Sequence, residues 1–70
     1  MANMIPVVSS NTVAVGFDEC LNELYIQFKN GLYVYRNVPA SVFQNLLNAP
    51  SHGKYFHAYI KNAFPCSKIG

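Results

Sequence analysis

Asn30-Gly31 separates two stretches in which apolar and polar residues alternate, and this arrangement constrains the chain more than any other feature. Asn and Gly tolerate positive φ at both central positions of a type I′ turn, the short loop whose twist matches that of paired strands. Placing them there sets a register in which Lys29 faces Leu32, Phe28 faces Tyr33, Ile26 faces Tyr35 and Tyr25 faces Arg36. Successive side chains on a strand point to opposite sides. Leu24, Ile26, Phe28, Tyr33 and Tyr35 therefore share the predicted core face. Tyr25, Gln27, Lys29, Leu32, Val34 and Arg36 share the other.

The neighbouring segments extend this pattern. Thr12 to Asp18 alternates, with Val13, Val15 and Phe17 on one side, and Asp18 to Asn22 reads as a loop. Met4 to Ser9 is a candidate further strand that Pro6 confines to an edge. Pro39 suits the first turn of a helix, after which Val42, Phe43, Leu46 and Leu47 form an apolar stripe that Pro50 stops. Ser51 is a good N-cap for a second helix. Phe56, Tyr59, Ile60, Ala63 and Phe64 form its apolar face, Pro65 ends it, and the tail is expected to fray. Strands first and helices after predict an α+β fold: a three- or four-stranded antiparallel β-meander followed by two helices packed on one sheet face.

The chain is a single domain of 70 residues, a size at which only about 60% of the unfolded surface is buried. Only 11% of its residues are charged and 51% are hydrophobic, so apolar surface is left over. A homo-oligomer through the sheet edge or outer face would cover it. The net charge of +2 is too small for the basic stripe of a duplex binder, but a short single strand or a nucleotide needs fewer charges. No signal peptide opens the chain and no apolar run is long enough to span a membrane, so a cytoplasmic location is expected. Cys20 and Cys66 are then expected to be reduced, packed and inert.

Tyr33-Val34-Tyr35 followed by Val38-Pro39 resembles the central mark of the KTSC family, named for a domain at the C-terminus of some lysyl-tRNA synthetases that also occurs as small stand-alone bacterial and phage proteins. Further matching pieces are Ser9-Ser10, Gly16-Phe17-Asp18, Leu24-x-Ile26-x-Phe28, Ala49-x-Ser51-x-Gly53, and Phe56 with Ile60. The resemblance covers roughly residues 8–64. The chain departs from the family pattern at Phe17, where Tyr is expected, and at His57, where Asn is expected. The resemblance implies no settled biochemical function; a role in RNA binding has been suggested for the family.

The residues point to one preferred corner. A helix start leaves free N–H groups and a partial positive charge. Ser51 can cap or donate, Gly53 permits close backbone approach, and Lys54 adds a full charge, a set suited to phosphate. On a helical wheel Lys54, His57 and Lys61 cluster on one side. A second candidate is the sheet face carrying Tyr25 and Arg36, which could stack or clamp a base, with Tyr55 as a further stacking residue. Tyr33 and Tyr35 are read as core. His52 and His57 do not share a helix face, and Asp18, Glu19 and Glu23 read as a solvated loop, so neither a metal nor a cofactor is expected.

No nucleophile–base or acid–base pattern is visible, which predicts a non-enzymatic module. The leading expectation is binding of RNA, single-stranded nucleic acid or a nucleotide phosphate through Ser51, Gly53, Lys54, His57 and Lys61. The alternative is a protein-interaction module, phage-encoded and acting on host defence by binding a host protein or sequestering a nucleotide signal.

Overall fold

In the computed structural model, which describes residues 3–9 and 11–70, the alternating runs pair as an antiparallel meander. The described residues form β1 (Ile5–Pro6), β2 (Thr12–Asp18), β3 (Glu23–Phe28), β4 (Gly31–Tyr35), α1 (Ala40–Asn48), α2 (His52–Tyr59) and β5 (Cys66–Lys68). Spatial order follows chain order, β1-β2-β3-β4-β5. Val15 of β2 pairs with Ile26, which pairs with Tyr33, while Phe17 pairs with Leu24, which pairs with Tyr35. This face packs against Phe43 and Leu46 of α1, Phe56 of α2 and Ile60 just beyond it. Both helices thus cover the same side of the sheet, as expected for the α+β arrangement.

The β3–β4 hairpin closes differently from a type I′ Asn30-Gly31 turn. Phe28 pairs with Gly31 and Gln27 with Leu32, so Lys29-Asn30 is the loop. Tyr25 accordingly faces Val34, not Arg36. Among the described residues the non-glycine positions with positive φ are Asn22 and Asn37, while Gly31 has φ 156°. The glycine answers to a neighbour instead of the turn. A Cβ on Gly31 would come 2.6 Å from Lys68 Cε and 2.7 Å from the Gly70 carbonyl oxygen. Relative to the expected register the strands slip by an even number of residues, so no side chain changes face.

Four other expectations are corrected. A register shift between Thr12 and Ala14 makes Val13 the extra residue of a β-bulge. Val13 is therefore 46% exposed, and Thr12, opposite Phe28, is buried in its place. The tail does not fray: Cys66–Lys68 pairs with β4 as β5. The Arg36 N–H donates to the Pro65 carbonyl (2.9 Å) and the Ile69 N–H to the Leu32 carbonyl (2.8 Å). Those bonds satisfy an edge of β4 that would otherwise stand open. Finally, α2 stops at Tyr59, so Phe56 and Ile60 are buried and Phe64 half-buried, but Tyr59 and Ala63 lie in solvent. Cys20 and Cys66 are both exposed, not packed.

At the end of the sheet away from the hairpin, the Asp18 carboxylate accepts from the N–H groups of Cys20 (2.9 Å) and Leu21 (3.2 Å). Asn22 and Asn37, at φ 52° and 62°, take the left-handed conformation that Asn tolerates better than most residues. The Val38 N–H donates to the Asn22 carbonyl at 3.0 Å, which brings Val38 fully into the core before α1 begins.

Replacing Gly31 with Val should cost roughly 1–3 kcal/mol or more, because the backbone sits where side chains are strained and the Gly70 carbonyl and the Lys68 side chain must shift. Ile26→Ala, a truncation in the middle of the core, should cost about 2–5 kcal/mol. Chemical denaturation of the two variants measures both; losses below about 0.5 kcal/mol would contradict this packing.

Candidate functional site

Ser51 caps α2 as its sequence position predicts: its hydroxyl accepts from the Lys54 N–H at 3.3 Å. The Tyr55 N–H then starts the helix ladder on the Ser51 carbonyl at 3.1 Å. The N–H groups of His52 and Gly53 have no carbonyl within the helix to serve them. His52 is committed elsewhere, its Nδ1 lying 2.9 Å from the Leu46 carbonyl oxygen, which ties the start of α2 to α1. Phe56 anchors the helix from below, its ring edge-on to Phe28 at 5.2 Å and to Tyr35 at 5.5 Å.

These constraints hold the first turn of α2 over an open cleft of about 630 Å³. Ser51, Gly53, Lys54 and His57 line one wall, and Ser9, Asn11, Thr12 and Phe28 line the other. A neighbouring cleft of about 240 Å³ shares Asn11, Phe28, Phe56 and His57, and adds Lys61 with Tyr33 and Tyr35. The structure therefore gathers Ser51, Gly53, Lys54, His57 and Lys61 around one continuous groove between α2 and the hairpin end of the sheet. A Cβ on Gly53 would meet nothing within 4 Å, so that position faces open cleft.

Tyr25 and Arg36 are not part of this groove. They belong to the sheet face turned away from the helices, where the Tyr25 hydroxyl donates to Glu23 Oε1 at 2.9 Å. Arg36 Nε lies 3.5 Å from Glu23 Oε2, and its Nη1 donates to Ser67 Oγ at 3.0 Å. The hydrogen bond to the Glu23 carboxylate, with burial second, raises the Tyr25 pKa above its ordinary value. The Arg36 charge is thus already engaged by a carboxylate. Tyr55 lies on α2 beside Tyr59, ring centroids 4.7 Å apart, and lines a separate cleft.

Charge is unevenly placed. Lys29 and Lys68 lie at the hairpin end of the sheet, and Lys54 and Lys61 line the adjoining groove. The acidic side chains of the sequence, Asp18, Glu19 and Glu23, sit at the opposite end around the β2–β3 turn, together with Arg36. The groove thus has lysines near it and no Asp or Glu side chain.

Ser9, Asn11, Thr12 and Phe28 were not singled out as site residues from the sequence. The available signal was the run of hydrogen-bonding side chains at positions 9–12 ahead of a strand; Ser10 itself lies outside the described residues. That Ser9, Asn11 and Thr12 line the cleft beside α2 is decided by the bulge and by the Lys29 N–H donating to the Asn11 carbonyl at 3.2 Å.

A family model for the KTSC domain matches residues 8–64. The chain is 40% identical over 57 residues to a lysine–tRNA ligase from Nostoc sp., covering 80% of this chain and 10% of that protein. It is 39% identical over 62 residues to a protein from Tsukamurella paurometabola, covering 87% of this chain and 92% of that one. The crystal structure of a KTSC domain protein from Yersinia pestis matches with a TM-score of 0.97 at 39% identity, over 100% of both chains. The chain therefore spans about a tenth of the length of the ligases it matches.

Tyr35, at the floor of the groove, is 4% exposed. Burial, and then hydrogen bonding with Cys66, holds its phenol well above the ordinary value near 10. The raised pKa favours the neutral form in the fold. The associated stability is present below the ordinary phenol pKa and is lost as pH climbs through the folded value. Absorbance titration should show Tyr35 ionising last, at the pH where the fold is lost. Simultaneous ionisation of all five Tyr in a folded protein would contradict it.

Proposed function

Because this chain belongs to the KTSC domain family and its charged groove is built within a single small domain, we propose that it is a non-enzymatic module that binds the phosphate of a single-stranded nucleic acid or a nucleotide. The observation that carries this reading is the convergence of Ser51, Gly53, Lys54 and His57 on one cleft, with Lys61 in the adjoining space and all Asp and Glu side chains at the far end. A helix start and a lysine favour an anion. Phe28 and Tyr33, in edge contact at 5.5 Å, supply the aromatic wall against which a base can rest. A nucleic-acid ligand agrees with the lysine–tRNA ligase relatives, whose name carries a tRNA substrate.

Among the described residues no helix is long and apolar enough to cross a membrane; a cytoplasmic location is part of the proposal and rests on the proposed ligands. A second reading rests on a different surface. Met4, Ile5, Val8 and Val13 are exposed near the short edge strand β1, Val8 by 99%. An apolar sheet edge suits strand addition by a protein partner or a second copy. Sedimentation at micromolar concentration tests the second copy, and a clean monomer counts against it.

Titration with short single-stranded RNA, single-stranded DNA and nucleotides at low and high salt tests the main reading. Lys54→Ala should weaken binding and flatten its salt dependence. Tyr25→Ala, on the opposite face, should leave binding unchanged. Gly53→Ala should raise stability by about 0.4–1 kcal/mol, since a helical glycine gains there without a clash, and should weaken binding by narrowing the cleft. If no ligand binds at low salt, the protein-contact reading replaces this one.

A further inference from the structure

The geometry points to a strand of at least two nucleotides as the ligand, laid across the first turn of α2 with a second base held by Tyr55 and Tyr59; this inference rests on the phosphate-binding reading of the groove. On the other side of α2 lies a further cleft of about 400 Å³, where Pro50, Tyr55 and Tyr59 join Ser51, Lys54 and Ala58. Those last three residues also line the main cleft. The two spaces are thus separated by the helix turn that carries Lys54.

The order of chemistry across this turn is aromatic, cationic, aromatic. Phe28 and His57 lie on one side, Lys54 in the middle, and the Tyr55–Tyr59 pair on the other, with centroids 4.7 Å apart and planes tilted by 39°. A nucleic-acid strand repeats base, phosphate, base in the same order. A mononucleotide offers one base and its phosphate, so it fills one cleft and leaves the other empty. Tyr59 is 61% exposed, which leaves its ring free to stack on a base, and stacking is tolerant of base identity because every base has a π face. The lysines near the groove, with no carboxylate side chain among them, favour an extended polyanion over a peptide with mixed charge.

The test compares the affinity of a mononucleotide with that of a mixed-sequence single-stranded pentanucleotide, for wild type, Tyr59→Ala and Tyr59→Phe. Circular dichroism first verifies that each variant is folded. The expected result is tighter binding of the pentanucleotide by wild type and by Tyr59→Phe. In Tyr59→Ala this preference should shrink by roughly five- to hundredfold, the range for one lost base stack. Equal binding of both ligands by wild type overturns the two-base strand, as does an undiminished preference in Tyr59→Ala; in either case the phosphate cleft stands. Absence of binding by any ligand at low salt overturns both.

Discussion

Leu24 and Ile26 on β3 are buried to 0% and 1% exposure, and the rest of the fold is arranged around keeping water from them. Their strand has neighbours on both sides, so Phe17 and Val15 flank them in β2 while Tyr35 and Tyr33 flank them in β4. Two short helices complete the cover through Phe43, Leu46 and Phe56, with Ile60 at the end of α2. Helices of this length are marginal on their own in water. Their position is set by what they bury, so the burial of β3 also fixes where the first turn of α2 stands. The groove beside that turn is a consequence of the core and not an independent feature.

A chain with few charges has used them by separation. Its carboxylates are spent locally: Asp18 closes the β2–β3 turn, and Glu23 binds the Tyr25 hydroxyl and Arg36. The lysines lie at the other end of the molecule. The net charge is small, yet fields from surface charges fall off over a Debye length of about 8–10 Å in physiological salt, so the local arrangement governs what a ligand meets. An anion approaching the hairpin end encounters Lys54 and Lys61 without a nearby acidic side chain to cancel them. Approach from the β2–β3 end meets the reverse.

The relatives place the same unit in two settings. It makes up about a tenth of the lysine–tRNA ligases and nearly all of the Tsukamurella paurometabola protein. A unit found in both settings must carry its own core, and here the sheet and both helices lie within one short stretch of chain. The fifth strand lies beyond the residues that the family model matches. By pairing with β4 it shields an edge next to the hairpin and makes Gly31 indispensable through the close approach of Lys68 and Gly70.

Periodicity in the sequence determined which side chains face the helices, and did so even though the hairpin register differed. A slip of an even number of residues preserves faces, so Leu24, Ile26, Tyr33 and Tyr35 are on the core side in both the expected and the observed register. The Ser51 cap was equally legible, because helix starts are local properties, whereas Lys61 lies beyond the end of α2 at Tyr59 and its place beside His57 is set by the fold and not by helical spacing. Tertiary structure alone decided the rest. Gly31 responds to a strand far along the chain, Val13 is expelled by a bulge that forms only when β2 pairs with β3, and the tail becomes β5 only because β4 presents an unpaired edge. Tyr25 and Arg36 are divided from the groove by the thickness of the sheet, and Ser9, Asn11 and Thr12 join it across the fold. Each of these depends on contacts between residues distant in sequence, which local pattern does not encode.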